Sequence, residues 1–317
     1  MATLTEPPVT VAVVSWNTRQ LLLRCLGSLR DDVTSGRARV VVVDNDSGDG
    51  SAAAAAHSAP WAEVVALADN RGFGAAVNLV AARSGSPWLL AANADVAVRS
   101  GALAALVEAA ADPRVGAAAP KLVLPGGSVQ YSVGPLPSPA LAVGFALGVH
   151  RMVPGLGQRL CLEGHWDPER PRDVPWAIAA ALLLRRSAFD AVGGFDERQW
   201  IYAEDLDLGW RLHQAGWLTR YAPQAVVDHA SGAATEIAFG DRRRARFMRE
   251  TYAVIERRRG PRAARSIAVA NALGAGARLV WMAPLAVVSR RWRPPTRDTI
   301  GWLRAHLQGV GAGRPPR

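Results

Sequence analysis

Two acidic segments of the 317-residue chain have the residue types needed to bind a phosphorylated ligand. Asp44 opens the run Asp-Asn-Asp-Ser-Gly-Asp-Gly-Ser at 44–51, and its carboxylate can accept a hydrogen bond from a base N–H or a ribose hydroxyl. Asp95 ends the tripeptide Asn-Ala-Asp at 93–95, where a single carboxylate can bind a hard divalent cation together with phosphate oxygens. The run at 44–51 also has the composition of an ordinary strand-to-helix turn, and the tripeptide at 93–95 could simply cap a strand end, so neither alone establishes binding.

A third acidic segment, Tyr-Ala-Glu-Asp-Leu-Asp at 202–207, precedes a helical pattern. Glu204 or Asp205, near the start of a helix, can act as a general base, and Asp207 or Arg211 can then orient that base. Acidic residues are also common in the first turn of any helix, because they oppose the positive end of its dipole. The segment therefore indicates a base without establishing one.

Two further motifs could contact a diphosphate or a metal ion. Gly72 lies in Asn-Arg-Gly-Phe-Gly-Ala-Ala-Val-Asn at 70–78, where the N–H groups of a helix start could face a diphosphate. The third glycine of the dinucleotide fingerprint is missing, so a plain glycine-rich turn is an equal alternative. His229 ends a short predicted strand and could be a metal ligand, although a lone histidine is more often structural.

Alternating strand and helix patterns over the first 120 residues must position these side chains. The run at 9–15 is rich in β-branched residues, and the apolar run at 38–44 is typical of a strand buried on both faces. Helical periodicity follows the first run. Such alternation predicts right-handed βαβ units around a mostly parallel sheet. Ligands of such sheets bind beyond the carboxyl ends of the strands. We therefore expect one ligand site formed by four polar segments, at 16–17, 44–46, 69–72 and 93–95.

Later elements are predicted less regularly along the chain. We expect a helix over 100–111 with Ser100 as its N-cap, and a loop-like stretch over 135–157. An apolar strand is expected over 175–185 and a helix over 204–215. Two short strands are expected to follow, at 217–222 and 225–229.

Charge divides the chain into two parts. Residues 1–235 carry 19 basic and 22 acidic side chains, whereas 236–317 carry 18 basic and 5 acidic ones. A basic tail favours phosphate, either on nucleic acid or on anionic lipid. The two cysteines, Cys25 and Cys161, are far apart, which excludes a disulfide framework and a cysteine-rich zinc site and agrees with a reducing compartment.

The tail contains an apolar stretch at 266–289 that is nearly long enough to span a bilayer. Its one charged residue, Arg278, would cost about 2.5–3.5 kcal/mol near the bilayer centre, and Pro284 weakens the helix further. We therefore predict a helix that lies at a membrane surface or packs on the body. The N-terminus has no basic segment followed by an apolar run, so no signal peptide is expected.

Taken in this order, the segments resemble the family-two glycosyltransferases of the GT-A fold, and especially their rhamnosyltransferase-like branch. The resemblance covers about residues 9–232, and six motifs in register do not arise by chance. The six motifs are Ser-Trp-Asn at 15–17, DNxSxDGS at 44–51, NxGFxxxxN at 70–78, Asn-Ala-Asp at 93–95, Trp with LLxRR at 176–186, and VGGFDExxxxYxEDxDLxxRxxxAG at 192–216. A histidine-containing strand near 229 follows them.

The resemblance implies an α/β GT-A domain at 1–235, with a donor half at about 9–120 and an acceptor half at about 121–235. A basic helical extension follows at 236–317. The implied reaction is the transfer of a sugar from a nucleotide donor with inversion at the anomeric carbon. The first candidate for the sugar is L-rhamnose, with dTDP-rhamnose as its donor. The implied acceptor is a hydroxyl of a polyprenyl-linked or cell-envelope glycan. The enzyme is expected in the cytoplasm, peripheral on the anionic inner face of the plasma membrane.

The resemblance also assigns roles to individual residues. Asp205, or Glu204 in its place, is the implied base, and Asp95 with His229 would hold Mg²⁺ or Mn²⁺ on the diphosphate. The implied donor contacts are Trp16, Asn17, Asp44, Asn45, Asn70, Gly72, Asn78 and Asn93, and the implied acceptor-side residues are Trp176, Asp207 and Arg211. The chain departs from the family pattern at Ala94, usually Pro or Asp, and at Ile178-Ala179, usually Ser-Gly.

Three other classes of protein are alternatives to this interpretation. A catalytically silent relative that binds a sugar nucleotide would need a broken Asp95 or Asp205, and both are present. A nucleic-acid-binding protein could use the basic tail, but the apolar stretch at 266–289 argues against it. A nucleotidyltransferase would need a glycine-rich loop after the first strand, where this chain has Trp-Asn-Thr-Arg at 16–19.

Overall fold

The computed structural model of the chain describes residues 8–231 and 243–310. These residues form two compact units, the first from 8–135 and 167–231, the second from 136–166 and 243–310. The sequence-based division placed 136–166 in the acceptor half of the first domain. In the structure this segment groups with the C-terminal helices, because its first helix packs on one of them.

The first unit is built on a nine-stranded sheet, counted over the described residues. Its strands are β1 (Val9–Ser15), β2 (Ala38–Asp44), β3 (Glu63–Ala66), β4 (Trp88–Asn93), β5 (Val96–Val98), β6 (Val115–Val123), β8 (Arg172–Val174), β10 (Ala181–Arg185) and β11 (Leu218–His229). They follow the order β3-β2-β1-β4-β10-β6-β11-β5, and β8 also pairs with β11. The strands β7 (Val133–Gly134) and β9 (Trp176–Ala177) form a separate two-stranded sheet.

Six helices accompany the strands over the described part of the first unit. They are α1 (Arg19–Thr34), α2 (Ser51–Ser58), α3 (Phe73–Ala82), α4 (Ala102–Ala109), α8 (Arg186–Ala191) and α9 (Glu204–Gln214). The core lies between the sheet and the first and fourth helices, where Val13, Leu22 and Leu106 are fully buried. The α/β architecture with a parallel sheet at its start is therefore confirmed.

The parallel pairing brings the polar strand ends to one edge of the sheet. β1 runs parallel to β2 on one side and to β4 on the other, so Ser15 pairs with Asp44 and Val14 pairs with Asn93. Side chains that follow these three strands therefore meet at one edge, as the strand-end rule predicts.

Four local predictions need correction. Ser100 is not the N-cap of α4, because Gly101, with φ of +79°, precedes the helix and no side chain caps it. The predicted strand at 175–185 is interrupted between β9 and β10, at 178–180. The two strands predicted at 217–222 and 225–229 are one strand, β11, with a register shift between Ala222 and Val226. The stretch at 135–157 is not simply a loop, since it contains helices of the second unit.

The second unit is helical over its described residues. Its helices are α5 (Pro139–Ala146), α6 (Val149–Met152), α7 (Leu156–Arg159), α10 (Arg243–Arg259), α11 (Pro261–Val288) and α12 (Arg293–Val310), with a 3₁₀ turn at Arg290–Trp292. Small residues let α11 approach α5, since a Cβ on Gly274 would lie 2.9 Å from the Cβ of Ala146. Tyr252 is buried between α10 and α12, where its hydroxyl lies 2.9 Å from His306 Nδ1.

A close approach between α9 and β9 fixes the helix that carries the candidate base. A Cβ on Gly209 would lie 2.4 Å from the Cβ of Trp176 and 2.9 Å from its Cα. Real Cβ atoms do not come this close to backbone, so only glycine allows this packing. The position of Asp205 thus depends on a missing side chain one turn further along the helix.

We predict that Gly209→Ala destabilises the protein by about 1–3 kcal/mol, because the added methyl group overpacks the contact with Trp176. The matched control is Gly27→Ala, also inside a helix, where an added Cβ meets nothing within 4 Å. That change should stabilise the protein by about 0.5–1 kcal/mol, since alanine has the higher helix propensity. Thermal and urea unfolding of both variants measure the difference, and equal effects would contradict the packing argument.

Candidate functional site

Hydrogen bonds tie the segment after β1 to the segment after β2. The backbone N–H of Asn17 donates to Ser47 Oγ at 2.9 Å, and Asn17 Oδ1 accepts from Gly48 N at 2.8 Å. Asn17 has a φ of +52°, a conformation that asparagine tolerates better than most residues. These two predicted donor-side segments therefore form one structured rim.

Asp44 ends β2 and is 3% exposed. Its Oδ2 accepts from Ser47 N at 3.0 Å, whereas its Oδ1 is buried and has no hydrogen-bond partner among the described residues. A buried carboxylate oxygen without a donor is costly, so this atom is suited to receive an N–H or O–H from a ligand. Asn45 beside it is also buried and donates to Gly72 O at 3.2 Å.

The loop at 70–72 is held from two sides. Asn70 Oδ1 accepts from Gly72 N at 3.0 Å, and Asn70 O accepts from Trp200 Nε1 at 2.8 Å. Gly72 has a φ of +86°, and a Cβ there would lie 2.2 Å from Trp200 O. The ring of Trp200 also meets Trp16 edge-on, with centroids 6.3 Å apart. The structure thus joins Trp16, Asn70 and Gly72 around one tryptophan.

Asn78 is placed differently from the other predicted donor contacts. Its amide donates to Phe195 O at 2.9 Å and to Glu197 Oε1 at 3.0 Å, and it accepts from Phe195 N at 2.9 Å. Both ends of the amide are therefore engaged by the loop after α8. In this position Asn78 fastens that loop to α3.

Asp95 and His229 meet beyond the carboxyl end of β4. Asp95 Oδ1 lies 3.2 Å from His229 Nε2, and both side chains are at most 10% exposed. The contact does not have the geometry of a hydrogen bond, and Asp95 Oδ1 is buried without another donor among the described residues. At the other ring nitrogen, His229 Nδ1 lies 2.7 Å from Gln130 Oε1.

This pair fits a divalent cation that is shared with a ligand. A carboxylate oxygen and an imidazole nitrogen are both suitable donors to Mn²⁺ or Mg²⁺, and the unpartnered Asp95 Oδ1 needs a positive partner. The described residues contain no group of three or more His, Cys, Asp or Glu side chains able to hold a metal. The remaining ligands would therefore come from a diphosphate or water. Ala94 is buried in the core and contributes none.

An open cleft of about 130 Å³ adjoins this pair. Asp95 and His229 form one wall, and Arg24 on α1 lines it as well. Asp228, also in its lining, is engaged by Arg99 through two hydrogen bonds of 3.2 and 2.7 Å. The cleft thus gives solvent access to the candidate metal pair.

Asp205 lies in the first turn of α9 and has the properties of a base. Its Oδ1 accepts from Leu206 N at 2.7 Å, and its Oδ2 accepts from Ala179 N at 3.3 Å. Burial raises the pKa of Asp205 to about 6, although these hydrogen bonds lower it. The two residues that lead into the helix, Tyr202 and Ala203, both have a φ of +62°, which is unfavourable for residues other than glycine.

The other acidic residues of α9 divide by burial. Asp207 is fully buried, and its Oδ2 accepts from Arg211 Nε at 2.8 Å. Arg211 also donates to Val192 O at 2.5 Å, so the predicted acceptor-side pair supports the loop after α8 from inside. Glu204 is partly exposed at the start of α9, beside Asp205.

Trp176, the third predicted acceptor-side residue, donates from Nε1 to Pro135 O at 3.1 Å.

The segment at 178–180 brings the candidate base and the candidate metal residue together. Ala179 N donates to Asp205, and the next residue, Ala180, accepts from Asn93 N at 2.9 Å. Asn93 is two residues before Asp95. One short stretch of backbone thus connects the end of β4 with the start of α9.

Three residues at the candidate site were not predicted from the sequence. Gln130 and Trp200 lie between or inside motifs without a recognisable signal of their own, and Ala180 contributes only its backbone carbonyl. A side-chain contact such as Gln130 to His229 joins residues 99 positions apart, and nothing in a single sequence reports that distance. The tryptophan at 200 is within the matched motif at 192–216, in one of its variable positions.

Comparison with known proteins agrees with this geometry. A family model described as "Glycosyl transferase family 2" matches residues 10–137, and one described as "Glycosyl transferase family group 2" matches 169–296. The chain is 38% identical over 235 residues to the N-acetylglucosaminyl-diphospho-decaprenol L-rhamnosyltransferase of Mycobacterium tuberculosis, covering 69% of this chain and 75% of that protein. It is 33% identical over 229 residues to the pre-mycofactocin glycosyltransferase of the same species, covering 70% of this chain and 42% of that protein.

Solved structures share the fold. The mannosyltransferase PcManGT from Pyrobaculum calidifontis, solved in complex with GDP-Man and Mn²⁺, has a TM-score of 0.59 at 18% identity, covering 98% of this chain and 89% of that one. GalNAc-T7 with UDP, GalNAc and Mn²⁺ has a TM-score of 0.55 at 14% identity, covering 80% of this chain and 48% of that one. The strand-end site, the GT-A fold and the two family matches lead to one conclusion: this chain belongs to glycosyltransferase family 2 and is rhamnosyltransferase-like.

Proposed function

We propose that the chain transfers L-rhamnose from dTDP-rhamnose to a hydroxyl of N-acetylglucosamine carried on a polyprenyl diphosphate, with inversion at the anomeric carbon. The observation that carries this proposal is the 178–180 segment, which holds Asp205 close to the strand end that bears Asp95. The choice of sugar and acceptor rests on the 38% identity to a rhamnosyltransferase named for such an acceptor. A transfer assay with dTDP-rhamnose as donor and a short polyprenyl-diphospho-GlcNAc as acceptor tests the proposal.

Donor binding is proposed at the rim formed by the ends of β1 and β2. An ionised carboxylate has no proton to donate, so the buried Oδ1 of Asp44 can accept a hydrogen bond but cannot donate one. Thymine and uracil present an N–H donor at N3, as guanine does at N1, so the choice of dTDP rests on the identity to the rhamnosyltransferase. Trp16, Asn17, Asn45, Asn70 and Gly72 border this place, and Asn93 lies at the end of the neighbouring strand.

Asp95 and His229 are the proposed holders of Mg²⁺ or Mn²⁺. The cation, when bound, neutralises charge on the leaving nucleoside diphosphate. Asp95 would supply a carboxylate oxygen and His229 an imidazole nitrogen, and both side chains are at most 10% exposed.

Asp205 is the proposed general base. Its carboxylate takes the proton of the acceptor hydroxyl while that oxygen bonds to the anomeric carbon from the face opposite the diphosphate. The bond between this carbon and the diphosphate oxygen breaks, and its electron pair leaves with the nucleoside diphosphate. A pKa near 6 keeps Asp205 ionised at neutral pH and makes it a stronger base than an ordinary aspartate.

We predict that Asp205→Asn lowers kcat by about 10²–10⁴-fold, the usual contribution of a positioned general base. The amide has nearly the same shape, so the increase in Tm on adding dTDP should remain within twofold of the wild-type increase. Glu204→Gln is the matched control, and it should retain most of the activity. A reversed outcome for the two variants would assign the base to Glu204.

The pH dependence of the wild-type enzyme tests the assignment of Asp205 in a second way. Since the base must be ionised, kcat/KM should fall tenfold per pH unit as the pH decreases below the pKa of about 6. The same limb should be absent from the residual activity of Asp205→Asn. A profile that stays flat down to pH 5 would contradict the assignment.

We predict that Asp95→Ala and His229→Ala each abolish the extra thermal stabilisation that Mn²⁺ gives to the complex with dTDP. A ligand at 100 times its Kd stabilises a protein by about 2.7 kcal/mol, so the loss is readily measured in a melting curve. Asp228→Asn, a neighbour in the same cleft that is paired with Arg99, is the control. Equal Mn²⁺ effects in all four proteins would show that the metal is held elsewhere.

We further propose that the second unit attaches the enzyme to the anionic cytoplasmic face of the membrane. Among the described residues, every strongly exposed large apolar side chain lies in this unit. On α11, Leu273, Val280 and Val287 are 67–78% exposed. Such a concentration of exposed apolar side chains in one unit is unusual on a protein that does not bind a membrane or partner.

The charges of the second unit support a lipid rather than a nucleic acid. Residues 243–310 contain 15 arginines and only three acidic side chains, which suits an anionic surface. The arginines are interspersed with exposed apolar residues, a pattern typical of interfacial helices. α11 is long and apolar enough to span a bilayer, and only 22% of its most apolar stretch is buried. Arg278 stacks over Phe145 on α5, 5.6 Å from the ring centroid, which favours a helix that lies on the membrane.

We predict that the double variant Val280→Ser/Val287→Ser partitions at least tenfold more weakly onto vesicles that contain phosphatidylglycerol. Each valine contributes roughly 1.5 kcal/mol or more when its side chain leaves water. Ala53→Ser, an exposed change in the first unit, is the control and should bind like the wild type. Co-sedimentation measures the binding, and wild-type protein that prefers DNA to these vesicles would overturn the assignment.

A further inference from the structure

The two ring nitrogens of His229 face different partners. Nδ1 lies 2.7 Å from the side-chain oxygen of Gln130, and Nε2 lies 3.2 Å from Asp95 Oδ1. Only the first contact has hydrogen-bond geometry, because Asp95 Oδ1 has no hydrogen-bond partner among the described residues. The imidazole is therefore fastened on the side away from Asp95.

The chemistry of the amide oxygen decides which nitrogen carries the proton. A carbonyl oxygen accepts but cannot donate, so Nδ1 must be the N–H donor in this contact. In a neutral imidazole the other nitrogen, Nε2, then carries a lone pair. That lone pair lies beside the carboxylate of Asp95, and two electron-pair donors in this arrangement suit a cation that both can bind.

The backbone fixes Gln130 in this role. Gln130 N donates to Leu122 O at 2.9 Å, and a bridge between Val123 and Val129 closes the hairpin that precedes it. β6 is the parallel neighbour of β11, with Leu122 paired to Val227. The residue that contacts His229 is thus held by the strand beside the one that carries His229.

We propose that Gln130 is a positioning residue for the metal pair. By accepting from Nδ1–H, it holds the ring of His229 in the tautomer that offers Nε2 to a divalent cation together with Asp95. The inference rests on the metal site proposed above and adds a residue that lies outside every motif of the sequence. Partners of this kind commonly change metal affinity by 10–100-fold.

The test uses the full chain with dTDP and two readouts that do not depend on turnover. Long-range ¹H–¹⁵N spectra of protein labelled with ¹⁵N-histidine, recorded with Mg²⁺ and dTDP, distinguish the protonated ring nitrogen from the other. The His229 signal is identified by its absence in His229→Ala. Binding of Mn²⁺ is followed through the electron paramagnetic resonance signal of the free ion.

In the wild type we expect the proton of His229 on Nδ1. Gln130→Met keeps the length of the side chain but removes the amide oxygen, so it should lose this preference and bind Mn²⁺ 10–100-fold more weakly. Gln130→Glu keeps an acceptor and should retain both the tautomer and the affinity within threefold. Gln130→Leu replaces the methionine variant if its Tm is lower than that of the wild type.

The outcomes separate this inference from the metal site itself. Wild-type tautomer and Mn²⁺ affinity in Gln130→Met would overturn the role of Gln130, even if Asp95→Ala and His229→Ala lose the ion. Unchanged Mn²⁺ affinity in those two variants would overturn the proposed metal site, and the role of Gln130 with it. A wild-type proton on Nε2 would overturn the tautomer argument directly.

Discussion

The backbone at 178–180 makes hydrogen bonds in two directions, and the candidate site depends on both. Ala180 O accepts from Asn93 N, which extends the sheet to the residue next to Ala94, whereas Ala179 N donates to the carboxylate of Asp205. An N–H that served a neighbouring strand could not also serve a side chain. The break between β9 and β10 is therefore what places the candidate base beside the strand end, and the tight contact at Gly209 keeps α9 there.

The candidate base, Asp205, is held at a cost in stability that the fold around it must offset. Tyr202 and Ala203 enter α9 with left-handed backbone, which costs of the order of 1–3 kcal/mol each. Burial also disfavours the ionised form of Asp205, as its raised pKa records. Asp207 and Arg211 form a buried ion pair one turn further on, and together with the packing against Trp176 they keep the helix start in place.

The sequence predicted the parallel sheet edge well because local patterns determine it. Buried parallel strands read as continuous apolar runs, and the polar residues that follow Ser15, Asp44 and Asn93 must then share one edge. The break at 178–180 was not predicted, because Ile-Ala-Ala is as apolar as the strands around it. Its partners, Asn93 and Asp205, are distant in the sequence. Gln130 was missed for the same reason, since only the pairing of β6 with β11 brings it to His229.

Carboxylates of similar sequence appearance separate once their partners are known. Asp207 is fully buried and paired with Arg211, so a ligand would have to displace a partner already in place. Asp44 and Asp95 each keep one buried oxygen without a hydrogen-bond donor among the described residues. Burying such an atom is unfavourable unless a ligand or an ion completes its environment. The unmet bonding capacity of these two aspartates is the physical reason for the proposal that a nucleotide sugar binds between them.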